Sequence, residues 1–268
     1  MINKTILSFN GGARMIRKMI LLVIVLTIFT TNAFAAAKPE IEIKNDLKGF
    51  NGRVGVFAKN LNTGKMIEFN QDDVFPTAST SKLVVALATY KYLYPKAGAD
   101  TANKYDQDIE LMMTISDNNS FQELLDEIDA TNKDALTKVT KDLHLRKTKI
   151  HSEDAFNSYR YHSITTPYEM AKIFESIYTN KYLNKAKGEQ LKSELANTIF
   201  HDEIPRYMAT TVFHKVGELD DILCDVGVIQ DGHDPILISF YTATADHTYS
   251  SDFIATESAK LYNALRRK

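Results

Sequence analysis

The sequence predicts an α/β fold of the α+β kind, an antiparallel five-stranded sheet flanked by helices, with an all-helical lobe inserted. Three observations predict it. Segments with the alternating apolar pattern of strands occur towards both ends, helical stretches fill the middle, and short hairpin-like links join several strand segments. Strands contributed by both ends of a chain most simply pair in one sheet, so the helices between them form an insertion.

The first elements form a helix and a hairpin. Residues 40–50 have apolar side chains at helical spacing. Residues 53–59 and 65–69 alternate as strands, and the Asn- and Gly-containing segment 60–64 between them is typical of a hairpin turn. Residues 80–94 are apolar nearly all round, which predicts a helix in the interior of the protein.

The remaining elements divide the chain into lobes. Further helices are predicted at 106–114, 120–128, 133–143, 167–178 and 189–199, three strands at 211–215, 224–230 and 235–243, and a terminal helix at 252–267. The sheet lobe therefore takes about residues 38–75 and 205–268, and the helical lobe about residues 76–204.

Composition excludes several classes of protein. The 268 residues are 44% hydrophobic and 25% charged, which is typical of a globular domain. The net charge of −2 gives no reason to expect a nucleic-acid partner. The single cysteine, Cys224, excludes an intramolecular disulfide and a cysteine-based zinc site.

The N-terminal segment predicts export. Basic residues within 14–18 precede an apolar run at 19–29, and Ala-Phe-Ala follows at 33–35, as at a signal peptidase site. Residues 1–35 are therefore predicted to be a signal peptide, and 36–268 a secreted or cell-envelope domain. An apolar run of this length is too short to span a bilayer comfortably, so no stable membrane span is expected after cleavage. An uncleaved N-terminal anchor is the alternative.

A serine and a lysine mark the start of the buried helix. Ser79 and Lys82 are three residues apart, so on a helix they share a face and the amine can reach the hydroxyl. A serine hydroxyl needs an adjacent base to become a nucleophile, and a lysine can serve if burial or another cation favours its neutral form. The alternative is chance, because S-x-x-K is expected about once in a chain of this length.

Two more short motifs carry polar groups. The tripeptide Ser-Asp-Asn at 116–118 lies in a break between predicted helices, where the alternative role is a helix N-cap. Lys-Val-Gly at 215–217 ends a predicted strand in the C-terminal part. The alternative there is a strand-end charge followed by a turn glycine.

Together and in this order, these elements resemble the S-x-x-K, S-D-N and K-T-G set of penicillin-binding proteins and class A serine β-lactamases. The resemblance extends to T-T-P-x-x-M-A at 165–171, H-K-V-G-E at 214–218 and D-V-G-V at 225–228. It covers about residues 40–266. It implies the β-lactamase-like fold, with helices on a five-stranded antiparallel sheet and an all-helical lobe between strands two and three, in agreement with the order of elements above.

The resemblance implies a role for each matching residue. Ser79 would be the acylated nucleophile, Lys82 the amine that activates it, and Ser116 the donor of a proton to the departing nitrogen. Asn118 would hold the substrate and Lys82. Lys215 would attract the substrate carboxylate and favour neutral Lys82.

The end of the K-V-G strand completes the implied substrate site. Gly217 and Glu218 would bind substrate, and the backbone N–H groups of Ser79 and Glu218 would form the oxyanion hole. Val216 departs from the family pattern, which usually has a hydroxyl residue there. No metal and no cofactor are implied.

Turnover requires a further residue. Class A enzymes carry a glutamate on an Ω-loop with an asparagine four residues later, and Glu153 and Asn157 have this spacing. They would hold the hydrolytic water, with Glu153 as the base. The segment from Glu153 to Pro167 is shorter than is usual in the family. The alternative is a solvated loop carboxylate.

The resemblance predicts a class A-type serine β-lactamase, a hydrolase whose activity would confer antibiotic resistance. The alternatives are a penicillin-binding D-Ala-D-Ala peptidase or related serine hydrolase, and a β-lactam-binding protein without turnover. In each case the expected partner is a small-molecule β-lactam or a D-Ala-D-Ala-like peptide, and the expected state is a monomer.

Overall fold

The computed structural model describes residues 39–232 and 234–267. The predicted signal peptide therefore lies outside the described residues. The chain divides into two compact units, Met1–Glu42 and Ile43–Lys268, and the strands of the described residues and the candidate site belong to the second. Within the described part of the chain, no helix is both long and apolar enough to cross a bilayer.

Five strands form one antiparallel sheet, as the sequence predicts. The described residues form these strands in chain order, five of which make up the large sheet: β1 (Arg53–Asn60), β2 (Met66–Phe69), β3 (Phe75–Pro76), β4 (Ile164–Thr165), β5 (Val212–Leu219), β6 (Ile222–Asp231) and β7 (Asp234–Ala243). The large sheet has the order β2-β1-β7-β6-β5, and β3 and β4 form a separate two-stranded pair. Strand β1 pairs with strand β7, with Val56 opposite Phe240. Strands from the early and the late part of the chain therefore lie side by side in the middle of the sheet.

Apart from α6 (Glu153–Tyr159), which forms where the sequence analysis expects a loop, the described helices follow the predicted order with shifted ends. They are α1 (39–49), α2 (Ser81–Ala88), α3 (Ala99–Thr114), α4 (Asn118–Asn132), α5 (Ala135–Asp142), α6 (Glu153–Tyr159), α7 (Pro167–Tyr178), α8 (Lys185–Ala196) and α9 (His247–Leu265). The predicted helix at 80–94 changes character after Ala88, into a π-helical turn over Thr89–Leu93 and a 3₁₀ turn over Tyr94–Lys96.

The sheet has a core on each face because its strands alternate. On β1, Phe57 packs in the cluster that contains α2 and the helices of the chain's middle. Its neighbours Val56 and Ala58 pack instead in the cluster that contains α9. Burying apolar side chains on both faces stabilises the sheet between two helical layers. Helix α2 lies deepest, since all eight of its residues are buried.

Candidate active site

Ser79 lies in a tight turn that leads into the buried helix. The sequence predicts it at the start of that helix, and the structure places it in a 3₁₀ turn, Ala78–Thr80, directly before α2. Ala78 has a left-handed backbone with a φ of 46°, a conformation that is costly for a residue with a side chain and occurs at functional sites. Thr80 fixes the turn from below, since its hydroxyl donates to Thr77 O at 2.6 Å.

Lys82 is at the centre of the polar cluster. Its Nζ donates to Ser79 Oγ at 3.0 Å, to Asn118 Oδ1 at 2.7 Å and to the carbonyl oxygen of Ser116 at 2.9 Å. The residue is 1% exposed. The structure therefore brings the predicted serine and lysine into direct hydrogen-bond contact, as the i, i+3 spacing requires.

The segment at 116–118 supplies the polar groups opposite Lys82. Ser116 has a left-handed backbone with a φ of 57°, which places both its carbonyl and its hydroxyl near Lys82 Nζ, the hydroxyl at 3.2 Å. Asp117 caps α4 by accepting from the N–H of Ser120 at 2.7 Å. The N-cap interpretation thus holds for Asp117, while Ser116 and Asn118 face the lysine.

Lys215 reaches the same cluster from β5. Its Nζ donates to Ser116 Oγ at 2.9 Å and to Val216 O at 3.0 Å, and the residue is fully buried. Ser116 therefore lies between the two lysines. Ser79, Lys82, Ser116, Asn118 and Lys215, five of the residues named from the sequence, form one connected hydrogen-bonded group.

Burial makes both lysines weaker bases. Desolvation lowers the pKa of Lys82 from 10.5 to about 8, against the attraction of the Asp117 carboxylate. Desolvation, together with the positive charge of Lys82, lowers the pKa of Lys215 from 10.5 to about 7. A fraction of Lys82 is therefore neutral near pH 7, which allows it to accept a proton from Ser79.

Gly217 lets the edge strand β5 approach the serine. A Cβ added at Gly217 would lie 2.9 Å from the backbone nitrogen of Ser79 and 2.9 Å from Cys224 Sγ. Cys224 is a buried free thiol on β6, and its Sγ donates to Gly217 O at 3.3 Å and to Thr77 O at 3.6 Å. Only glycine fits at 217 without displacing the strand.

An open cavity of about 340 Å³ lies beside this group. Ser79, Lys82 and Asn118 line it together with Glu218 and residues 161–163. Glu218 Oε1 lies 2.8 Å from His247 Nδ1, and 67% of its side chain is exposed. The cavity is the space in which a small substrate would meet the Ser79 hydroxyl.

The predicted turnover pair lies away from the hydrogen-bonded group. The segment that carries Glu153 is a short helix, α6, whose N-cap Ser152 accepts from the N–H of Ala155 at 3.4 Å. The Glu153 side chain is 81% exposed, and its Oε1 lies 3.5 Å from His162 Nδ1. Asn157 is exposed as well. Neither residue lines the cavity of Ser79.

The cavity-lining residues that the sequence does not single out include Tyr161, His162 and Phe121. Tyr161 and His162 precede the T-T-P motif, and no spacing rule singles them out. Phe121 lines the cavity and places its ring 5.4 Å from Lys82 Nζ. That residue had a usable signal, because it follows Asn118 by three positions and so shares its face of α4.

Comparison with known proteins identifies the family. The model of the beta-lactamase enzyme family matches residues 38–99 and 104–265. The chain belongs to this family.

Solved structures share the fold at low sequence identity. A β-lactamase from Chitinophaga pinensis is 18% identical with a TM-score of 0.73, covering 85% of this chain and 99% of that one. A class A β-lactamase from Mycobacterium abscessus is 18% identical with a TM-score of 0.73, covering 84% and 98%. A variant of PBP-A, solved as an acyl-enzyme complex with penicillin G, is 20% identical with a TM-score of 0.72, covering 85% and 95%. The family supports a hydrolase that acts on β-lactams, and these structures show that the chain shares their fold.

Proposed function

We propose that the protein is a class A-type serine β-lactamase that opens the β-lactam amide by acylation of Ser79. The observation that carries the proposal is the 3.0 Å contact between Ser79 Oγ and Lys82 Nζ inside a buried hydrogen-bonded group. The lowered pKa of Lys82, about 8, supports its role as the base.

The other residues of the group divide the remaining work. Ser116, held between Lys82 and Lys215, passes a proton to the departing lactam nitrogen. The charge of Lys215 attracts the substrate carboxylate. Asn118 fixes Lys82, and the backbone N–H groups of Ser79 and Glu218 stabilise the oxyanion as the tetrahedral intermediate forms. Gly217 lets β5 come close to the backbone nitrogen of Ser79, since an added Cβ would lie 2.9 Å from it.

A second candidate is a penicillin-binding D-Ala-D-Ala peptidase, or a protein that is acylated by a β-lactam and does not turn over. The observation that favours it is the 81% exposure of the Glu153 side chain, which does not line the cavity of Ser79. An acyl-enzyme ester persists unless a base activates water beside it. The PBP-A variant solved with penicillin G is an acyl-enzyme complex.

We propose further that the domain is exported by the segment 1–35 and acts as a monomer outside the cytoplasm. The basic and apolar pattern of that segment supports export. A substrate found in the cell envelope, a wall peptide or a β-lactam, fits that location.

The test is covalent labelling followed by turnover. Penicillin G is mixed with the wild type, with Ser79→Ala and with the control Ser81→Ala, whose serine lines the same cavity but donates to Ala78 O at 2.9 Å. Intact-mass analysis should show one adduct in the wild type and in Ser81→Ala, and none in Ser79→Ala. Hydrolysis of a chromogenic cephalosporin then separates the candidates, because a peptidase or binding protein accumulates the adduct and a β-lactamase clears it.

A further inference from the structure

His162 lies in a segment that is hydrogen-bonded to the residues just before Ser79. It lies in the segment between α6 and β4, where its carbonyl accepts from the N–H of Ser152 at 2.8 Å. The next carbonyl, that of Ser163, accepts from the N–H of Thr77 at 3.1 Å, two residues before Ser79. These two backbone hydrogen bonds hold residues 161–163 beside the cavity that Ser79 lines.

The imidazole of His162 is oriented from two sides. It stacks on the ring of Phe156, with centroids 4.5 Å apart and an interplanar angle of 12°. Its Nδ1 lies 3.5 Å from Glu153 Oε1. A carboxylate beside Nδ1 favours the tautomer with the proton on that nitrogen, which leaves Nε2 as the acceptor.

His162 lines the same cavity as Ser79. Residues 161–163 and Ser79 line the same space, and the His162 side chain is 52% exposed, so water has access to it. The carboxylates near this cavity have other partners. Glu218 contacts His247, Asp117 caps α4, and Glu153 extends towards His162.

We propose that His162, oriented by Glu153, is the general base that activates the water releasing the acyl group from Ser79. The inference rests on the proposed acylation of Ser79 and assigns Glu153 a positioning role in place of the direct one expected from its motif. His162 is the catalytic residue of this proposed step, because its Nε2 would take the proton from the attacking water.

The step balances without a further reactant. The water oxygen forms a bond to the ester carbonyl carbon while His162 Nε2 takes one of its protons. The tetrahedral intermediate then collapses and breaks the bond between that carbon and Ser79 Oγ. The proton returns from the imidazolium to Ser79 Oγ through the group at Lys82, leaving a free carboxylic acid product and the serine hydroxyl.

The experiment measures acylation and release separately. His162→Phe keeps the ring stack on Phe156 and removes both nitrogens. With a chromogenic cephalosporin, the burst that reports acylation should remain close to that of the wild type. Release from Ser79 should slow by about 10²–10⁴-fold, the range for loss of a general base, so intact mass should show an accumulating adduct. The matched control is His201→Phe, at an exposed histidine outside this cavity.

Two further readouts separate catalysis from a structural effect. Added imidazole should restore release in His162→Ala, since it supplies the missing base in the space left by the side chain. Glu153→Gln should slow release in the wild type and have no additional effect in His162→Phe, because residues that act as one unit are not additive.

Each other result overturns the inference. Wild-type release rates in His162→Phe would remove the histidine from the reaction. An equal slowing by Glu153→Gln in both backgrounds would make Glu153 the direct base. A wild-type adduct that never clears would overturn this inference and leave the proposed acylation intact, whereas the absence of any adduct would overturn the proposed function and this inference with it.

Discussion

Gly217 lies so close to Ser79 that a single added methyl group at 217 would come within 2.9 Å of the serine's backbone nitrogen. The same methyl would meet Ala78 Cβ at 3.0 Å. The distance between β5 and the nucleophile's turn is therefore set by the absence of a side chain. Both proposed oxyanion donors, the N–H groups of Ser79 and Glu218, adjoin this contact.

We expect Gly217→Ala to separate the strand from the turn and to widen the oxyanion site. Acylation of Ser79 should fall by about 10²–10³-fold, the range for losing one oxyanion donor. Overpacking should lower the free energy of unfolding by about 1–3 kcal/mol. Burst kinetics and urea unfolding measure the two effects. Gly49→Ala is the control, because nothing lies within 4 Å of a Cβ at that position; wild-type acylation in Gly217→Ala would contradict the close-approach argument.

Acylation should depend on pH through both lysines. Lys82 acts as a base only when neutral, so the rate rises as pH rises through its pKa of about 8. Lys215 attracts a carboxylate only when charged, so the rate falls as pH rises through its pKa of about 7. The second-order rate constant should therefore be bell-shaped, with its maximum between pH 7 and 8. A β-lactam whose carboxylate is esterified should show the rising limb alone, and a falling limb with that ester would remove Lys215 from carboxylate recognition.

Replacing Lys215 should weaken catalysis and strengthen the fold. In Lys215→Met an apolar chain of similar length fills the same buried space and the desolvated ammonium group is gone. We expect kcat/KM for an anionic β-lactam to drop while Tm rises, the usual trade between stability and function at a site. Thermal unfolding and steady-state kinetics check both, with the exposed Lys181→Met as control. Unchanged kcat/KM would exclude Lys215 from the site.

His214, the residue before this lysine on β5, forms a buried hydrogen-bonded pair with Asp225 of β6. Asp225 and His214 are both buried, with Nδ1 and Oδ1 2.9 Å apart, and Asp225 Oδ2 also accepts from the N–H of Ile204 at 3.1 Å. Asp225→Asn should reduce the free energy of unfolding by about 1–3 kcal/mol, the cost of leaving a buried hydrogen-bonding group without its partner. The surface variant Asp220→Asn should stay within about 0.5 kcal/mol of wild type in the same urea titration. Equal free energies of unfolding for the two variants would show that the His214–Asp225 pair does not stabilise the protein.

Local sequence patterns were sufficient to predict the five-stranded sheet and the contact between Ser79 and Lys82. The alternation of Val56 and Phe57 between two cores is the period that predicts a strand, and the i, i+3 spacing of Ser79 and Lys82 fixes their contact once α2 is buried. The order of the motifs then identified the family, and the family fold placed Lys215 on the strand beside them.

What local pattern missed depends on distances across the fold. The spacing of Glu153 and Asn157 matches a motif, but the depth of that segment is set by how the short connection to β4 folds, and it folds as a helix that leaves the Glu153 side chain 81% exposed. His162 was missed for the same reason, because its place in the cavity comes from the backbone bond between Ser163 and Thr77. The first half of α3 was missed because residues 99–104 have no apolar periodicity.

The thiol of Cys224, which contacts the segment before Ser79, can report when the structure around the active site opens locally. Cys224 is the only cysteine of the chain, it is buried, and burial raises the pKa of its thiol. A disulfide reagent can therefore label Cys224 only when β5 and β6 separate from the turn of Ser79. The labelling rate then measures the frequency of this local opening. Acylation of Ser79 should slow this labelling, and the single thiol would then time the occupancy of the site without any engineered probe.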